Sequence, residues 1–152
     1  MPNSIIIKAA LDRALQEIVA VIQNKDKLVV MVLLSDTHGD LTPDSVQSIA
    51  GMEFNSVISK VLTHVYRTGE LVITVIGPEK PIGDIVGFGL NTIIVGPVRV
   101  HDQTVAVIFL QQPIFVQRPP NVGIFDQATQ DKIRAIIEAV QRELAALTYD
   151  ET

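Results

Sequence analysis

The sequence contains no cysteine and no tryptophan, and aromatic residues make up only 5% of its 152 positions. Without cysteine there can be no disulfide, no thiolate metal site, no cysteine nucleophile and no chromophore attached through a thioether. Because aromatics are scarce, Val, Ile, Leu and Ala must fill the interior. The sequence therefore predicts an aliphatic core without covalent cross-links.

Long apolar runs and clustered basic residues are also missing. The apolar stretches at residues 28–34 and 105–110 are as long as a strand, whereas a membrane helix needs about twenty apolar residues. Charged residues at positions 12, 13 and 17 lie where a signal peptide would need an apolar segment. The 12 Lys and Arg residues are scattered among 17 acidic ones, which gives a net charge of -5 and argues against a nucleic-acid groove. We therefore expect a cytoplasmic protein that binds neither a membrane nor nucleic acid.

Hydrophobic residues are abundant instead, at 47% of the chain. A chain of this length is expected to form a single domain, residues 1–152, that buries a sizeable core. So much apolar surface implies either a core covered from every side or an apolar stripe that a partner covers.

The two ends of the chain carry similar apolar patterns. Residues 4–23 and 125–147 place aliphatic side chains at alternating steps of four and three, which predicts two long helices. Asp126 is expected to cap the second helix. One interpretation is that these apolar stripes simply cover a sheet.

A second apolar set beside each stripe favours a wider contact, in which two copies of the chain form a four-helix bundle. The second set comprises Ile5, Leu15, Ile22, Ala135, Ala139 and Ala146. The predicted homodimer interface comprises Ile7, Leu11, Ile18, Ile137, Val140 and Leu144.

Between these helices the pattern predicts strands at 28–34 and 71–76, with a helix at 54–70 between them. Gly69 is expected to end that helix. The inward stripe of the helix comprises Ile58, Val61, Leu62 and Val65. Residues 43–52 fit neither a helix nor a strand clearly.

A hairpin at residues 95–110 is apolar on both faces, and its arms join at a polar four-residue turn, residues 101–104. Such a hairpin must be covered on both faces. Pro97 cannot donate to a ladder and so predicts a bulge or an edge site. The order of elements predicts an α+β fold with an antiparallel sheet. We expect the terminal helices to pack on one face, and the central helix with two Gly/Pro-rich loops, 77–89 and 111–123, to cover the other.

A sheet face covered by loops favours a small-molecule cavity. The expected ligand-binding residues are Asp84, Phe88, Asn91 and Thr92. No arrangement of residues indicates a catalytic nucleophile, an acid/base pair or a metal site.

The three histidines can be interpreted in two ways. His64 could bind haem non-covalently, and His38 between Asp36 and Asp40 could belong to a metal or acid/base site. Helical position favours a solvated His64, and the sequence around His38 is typical of a tight turn. We also expect His101 to be solvated in the hairpin turn.

Several parts of the chain together carry the pattern of one known family. Residues 60–62 and 68–73 give a helix end, Thr-Gly-Glu and a strand, and residues 93–98 and 105–110 give a hairpin. Phe125, Asp131 and the helix that follows give a closing segment. In this order and spacing they resemble a GAF domain over nearly the whole length of the chain. The resemblance is strongest to GAF domains of FHA-associated and of kinase or cyclase regulators, and it implies a PAS-related fold.

Several signatures of the family are missing from this sequence. It has no cysteine to hold the chromophore of phytochrome-type members or to serve the active site of free methionine sulfoxide reductases. The signature of cyclic-nucleotide-binding members is incomplete, because Phe125 and Asp131 are present without its other residues. The hairpin turn lacks the usual glycine, and Gly96 is inserted before Pro97.

The resemblance therefore implies a non-catalytic regulatory domain without a cofactor. Such a domain would sense a small molecule, or relay a conformational signal, through dimeric terminal helices. The implied partner is a kinase, a cyclase or a transcription regulator. The alternative is a ligand-free dimerisation module that acts through protein–protein contacts.

Overall fold

The apolar segments 28–34, 71–76 and 93–110 lie in or next to strands, and the segments with apolar residues at helical spacing form helices. The computed structural model describes residues 4–23, 25, 27–35, 41–48, 56–76, 91–114 and 126–150. Within these ranges the elements are α1 Ser4–Val21, β1 Val29–Ser35, β2 Leu41–Ser48, α2 Ser56–Thr68, β3 Val72–Ile76, β4 Asn91–Val100, β5 Gln103–Pro113 and α3 Gln127–Asp150. The predicted α+β class is confirmed.

The described strands form an antiparallel sheet in the order β2-β1-β5-β4-β3. The hairpin β4–β5 lies inside this sheet, so its strands need cover above and below. Its turn contains two residues rather than the four that we expected. His101 and Asp102 both have positive φ, 53° and 66°, which is the geometry of a two-residue turn that matches the twist of the strands. Gln103 and Thr104 consequently belong to β5.

Two apolar clusters on opposite faces of the sheet confirm that the terminal helices cover one face and the central helix the other. The first, which we call the helix-side cluster, joins α1 and α3 to the sheet through residues such as Leu11, Ile18, Val30, Ile94, Ile108 and Ile137. The second, the α2-side cluster, comprises Met31, Leu33, Ile58, Leu62, Val65, Ile76, Ile93, Val95, Val107 and Phe109. Alternate residues of the central strands belong to different clusters, because successive side chains point to opposite faces.

The covering helices follow the predicted patterns closely. Ile58, Leu62 and Val65 are buried and Val61 is half-buried, so the predicted inward stripe of α2 is confirmed. Gly69 ends the helix with φ of +71°, and its N–H donates to the carbonyl of Val65 at 2.9 Å.

The terminal helices differ from expectation only at their ends. Asp126 caps α3 as expected, because its Oδ1 accepts hydrogen bonds from the backbone N–H groups of Ala128 at 2.7 Å and Thr129 at 3.2 Å. Helix α1 ends two residues before position 23. Helix α3 begins at Gln127 and continues to Asp150.

Two predicted irregular segments contain strand. Residues 43–48, the described part of the ambiguous segment 43–52, belong to the edge strand β2, which pairs with β1 across a register shift between Val32 and Leu33. Residues 111–113, which we assigned to a Pro-rich loop, extend β5 as far as Pro113, opposite Asn91 of β4. The rest of that loop, the whole of loop 77–89 and the turn 36–40 lie outside the described residues.

Gly96 and Pro97 lie within a continuous part of the β4–β5 ladder. The pairing of β4 with β5 continues through both residues, and the register shifts one step later, between Val98 and Arg99. Pairing with β3 has already ended at Val95, so Pro97 lies where β4 has lost one neighbouring strand. This agrees with the predicted edge site and moves the bulge past the proline.

Candidate functional site

The face of the sheet beneath α2 is the candidate site, and its centre is dry. Phe109, Val107, Val95 and Ile93 are completely shielded from solvent, and α2 packs over them. Polar side chains appear on this face where β4 begins and β5 ends, at the end of the sheet remote from the hairpin turn. We call this region the polar end of the α2-side face and define it by Asn91 and Gln111.

Asn91 and Thr92, two of the predicted ligand-binding residues, lie on opposite faces of the sheet. Asn91 shares its face with Ile93 of the α2-side cluster and is half-buried. Thr92 shares its face with Ile94 of the helix-side cluster and is fully buried, opposite Gln112 in the ladder. Thr92 is therefore turned away from the polar end. Asp84 and Phe88, the other two predicted residues, lie outside the described residues.

Gln111 is a site residue that sequence reasoning missed. It alternates with Val107 and Phe109 and so belongs to the α2-side face, between Val29 of β1 and Ile93 of β4. Its side-chain oxygen Oε1 is buried and accepts no hydrogen bond within the described part of the chain. A buried acceptor left unpaired costs about 1–3 kcal/mol. Gln111 Oε1 therefore retains an unused capacity to accept a hydrogen bond.

A usable signal for Gln111 existed in the sequence. Pro113 suggested a loop, but the two arms of an antiparallel hairpin have similar lengths. Since β4 begins at Asn91 and turns at His101, its partner strand must run about ten residues beyond the turn. Ten residues counted from the turn at 101–102 bring β5 past Gln111.

The histidines within the described residues take no part in the polar end. His64 is exposed on α2, and its carbonyl accepts a hydrogen bond from Thr68 Oγ1 at 2.8 Å. His101 is exposed in the hairpin turn. His38, Asp36 and Asp40 lie outside the described ranges. Over the ranges that the structure covers, no three His, Asp or Glu side chains come together to hold a metal ion.

The terminal helices form the second region of functional interest. They lie side by side on the helix side, and Arg13 of α1 forms an exposed ion pair with Glu143 of α3. None of the described helices is both long enough and apolar enough to cross a membrane.

The predicted dimer residues are placed mostly inside the single chain. Leu11, Ile18, Ile137, Val140 and Leu144 are each at most 4% exposed and belong to the helix-side cluster, while Ile7 is half-buried against it. These side chains have almost no surface to offer to a second copy, because the sheet and the other helix already cover them.

The second apolar set divides between the two helices. Leu15 and Ile22 of α1 are buried in the helix-side cluster. Ala135, Ala139 and Ala146 are exposed on α3. The side chain of Ile5 lies outside the described part. We call Ala135, Ala139 and Ala146 the outer alanine face of α3.

The sheet order and the two-sided cover describe a fold that this chain shares with GAF domains of known structure. The chain is similar to the GAF domain/HD domain protein from Geobacter sulfurreducens, with 11% identity, 94% of each chain covered and a TM-score of 0.63. It is similar to GAF3 of Slr1393 from Synechocystis in its photoproduct state, with 11% identity, 96% and 95% of the two chains covered and a TM-score of 0.55. It is also similar to the reduced form of fRMsr of Staphylococcus aureus, with 15% identity, 95% and 97% covered and a TM-score of 0.52.

At these identities the similarity shows a shared fold. No protein-family model matches the chain, and a search of curated proteins finds no significant match.

Proposed function

We propose that this chain is a non-catalytic regulatory GAF domain that binds a small molecule at the polar end of the α2-side face. The observation that carries the proposal is the buried Oε1 of Gln111, which lies on the same face as Asn91. An apolar floor with a few converging polar groups is the usual composition of a small-molecule site. A ligand that donates a hydrogen bond to Gln111 would recover the free energy that this oxygen loses in the unliganded domain.

The output of the domain would pass through α1 and α3. These helices pack on the opposite face of the same central strands, so a change in strand position reaches both sides. A ligand can shift the helix pair only by the difference in its affinity for the two arrangements. We propose a cytoplasmic homodimer that acts on a kinase, a cyclase or a transcription regulator.

Support for a sensory role comes also from the proteins that share the fold. The similar structure of GAF3 from Slr1393 is that of a photoproduct state. The present chain has no cysteine, and we therefore assign it a non-covalent ligand. The same lack of cysteine supports a non-catalytic role here, although the reductase fRMsr shares the fold.

The ligand proposal predicts a specific effect of Gln111→Leu. A ligand present at 100 times its Kd stabilises the native domain by about 2.7 kcal/mol. If removal of the hydrogen bond weakens binding tenfold, the same concentration stabilises the variant by only about 1.4 kcal/mol. Without ligand, the melting temperature of the variant should be unchanged or higher, because an unpaired buried acceptor has been removed. Thermal shift against a panel of nucleotides and metabolites measures both effects.

Gln103→Leu is the matched control for that experiment. Gln103 belongs to the same strand but is exposed beside the hairpin turn, so its replacement should leave the ligand response intact. An equal loss of response in both variants, or a full response in Gln111→Leu, would contradict binding at Gln111.

A dimerisation module without a ligand is the second candidate function. It is favoured by the complete burial of Phe109, Val107 and Ile93, which fill the face beneath α2 with the chain's own side chains. The panel separates the two functions. If no compound raises the melting temperature of the wild-type protein, the module is favoured.

A further inference from the structure

Arg99 contacts elements on both faces of the sheet: α3 on the helix side and the end of α2 on the other. It lies on β4, one position after the register shift against β5 and beyond the end of the ladder with β3. Val98 and Val100 on either side of it belong to the helix-side cluster. The side chain of Arg99 therefore projects to the α2 side.

The backbone of Arg99 is bound to α3. Its N–H donates to Oε1 of Gln141 at 3.0 Å, and both residues are half-buried. A side chain on the helix side thus satisfies a strand N–H at a point where β3 no longer provides a partner.

The side chain of Arg99 is held against the end of α2. The guanidinium crosses Gly69 so closely that a Cβ at Gly69 would lie 2.7 Å from Cζ of Arg99. Nη2 of Arg99 donates to the carbonyl of Asp102 in the hairpin turn. The carboxyl end of a helix carries partial negative charge on its backbone carbonyls, so it also stabilises a cation in this position.

The hairpin makes a second contact with α2, from β5, the strand next to Arg99. Oγ1 of Thr104 on β5 donates to the carbonyl of Tyr66, in the last turn of α2, at 3.0 Å. Because Thr104 is opposite Arg99 in the ladder, the two contacts fix the end of α2 to one end of the hairpin.

We propose that Arg99 is a coupling residue that transmits the position of the α2 end to α3. This inference rests on the proposed function, because it supplies the route by which a ligand under α2 would reach the output helices. A shift of α2 displaces the guanidinium, the displacement moves the bulged segment of β4, and the Arg99–Gln141 hydrogen bond opens or closes. Coupling of this kind is reciprocal, so a change at Gln141 must also alter the stability of the α2 end at Gly69.

Amide hydrogen exchange on the full chain, without any ligand, tests the coupling. Thr104→Val removes the second contact with α2 and should accelerate exchange at the Arg99 amide by roughly fivefold or more, the lower end of ordinary coupling strengths. In an Arg99→Met background, which retains the stem without the guanidinium, Thr104→Val should have no further effect at residue 99. Conversely, Gln141→Leu should accelerate exchange at the Gly69 amide only when Arg99 is present.

Two controls separate coupling from loss of stability. Thr63→Val removes a hydroxyl of the same chemistry from the exposed side of α2, where Oγ1 donates to the carbonyl of Ser59 at 2.9 Å. It should leave the Arg99 amide unchanged. Exchange at Ile108 in the buried centre of the sheet reports global opening, against which the local changes are measured.

The proposal is overturned if Thr104→Val leaves the Arg99 amide unchanged, or if its effect is equally large in the Arg99→Met background. Since no ligand is used, these outcomes do not depend on the ligand panel. A failure of the ligand proposal and a failure of the coupling proposal can therefore be told apart.

Discussion

At the scale of single residues, Gly96 shows how closely α3 approaches the sheet. A Cβ at this position would lie 2.5 Å from Cδ1 of Ile137, whereas the next atom, Cδ1 of Leu71, would be at the ordinary distance of 3.4 Å. Glycine is therefore needed at position 96 because the Cδ1 methyl group of Ile137 occupies the space of a Cβ. Its role is to admit α3, and the pairing of β4 with β5 continues through it.

Gly96→Ala should destabilise the domain by about 1–3 kcal/mol, the usual cost of overpacking a core. Ile137→Val alone should cost about 0.5–1.5 kcal/mol. The double variant removes the clashing methyl group, so it should be more stable than the sum of the single effects predicts, by about 1 kcal/mol. Urea denaturation measures all three free energies of unfolding. Ile133→Val is the control partner on α3, and its effect should simply add to that of Gly96→Ala.

At the scale of elements, the cap of α3 is a local feature with a measurable free energy. Asp126→Ala removes the acceptor for two backbone N–H groups and should reduce the free energy of unfolding by about 1 kcal/mol, whereas Asp126→Asn should retain most of it. Asp131 is the control, because it is exposed and accepts a bond only from the side chain of Gln127 among the contacts described here. Asp131→Ala should cost a few tenths of a kcal/mol. An equal cost for both alanine variants in urea denaturation would contradict the cap.

The hairpin turn offers a second prediction at this scale. His101 and Asp102 both hold positive φ, a conformation that Asn and Gly adopt at lower cost. Replacement of the pair by Asn-Gly should raise the free energy of unfolding by about 1 kcal/mol. Replacement by Val-Val should lower it by a similar amount or more, since β-branched residues resist positive φ. Thermal melting of the two variants against the wild type checks the direction of both changes.

The elements that the sequence predicted well are those whose apolar pattern is local. The stripe of α2, the end of that helix at Gly69 and the cap at Asp126 each depend on a few neighbouring residues. Strand β2 escaped prediction because its residues 41–48 include Pro43 and several polar side chains, and only pairing with β1 makes them a strand. Gln111 was not predicted for the same reason. Pairing with the neighbouring strands, rather than the residues next to it in sequence, places it in the sheet.

At the scale of the whole molecule, one sheet is shared by two different covers. Within the described residues, the helix side is covered by two long helices and the α2 side by one helix of 13 residues. Alternate residues of β4 and β5 contribute to the two clusters, so both faces depend on the position of the same strands. This arrangement explains why the apolar residues of α1 and α3 are so extensively buried within one chain. It also moves the surface available for dimerisation to the outside of the helix pair.

The dimer proposal therefore predicts opposite outcomes for two neighbouring positions on α3. Ile137 is 4% exposed, so Ile137→Glu buries an unpaired charge and should unfold the domain, with loss of its helical circular dichroism. Ala139 belongs to the outer alanine face, where Ala139→Glu keeps a good helix former in solvent. If two copies meet through that face, the variant should remain folded and its mass by light scattering should fall to that of one chain. Ser59→Glu on exposed α2 is the control and should leave the mass of the wild type unchanged. A wild-type protein that already has the mass of one chain would rule out the homodimer, whereas a folded Ala139→Glu dimer would place its interface elsewhere.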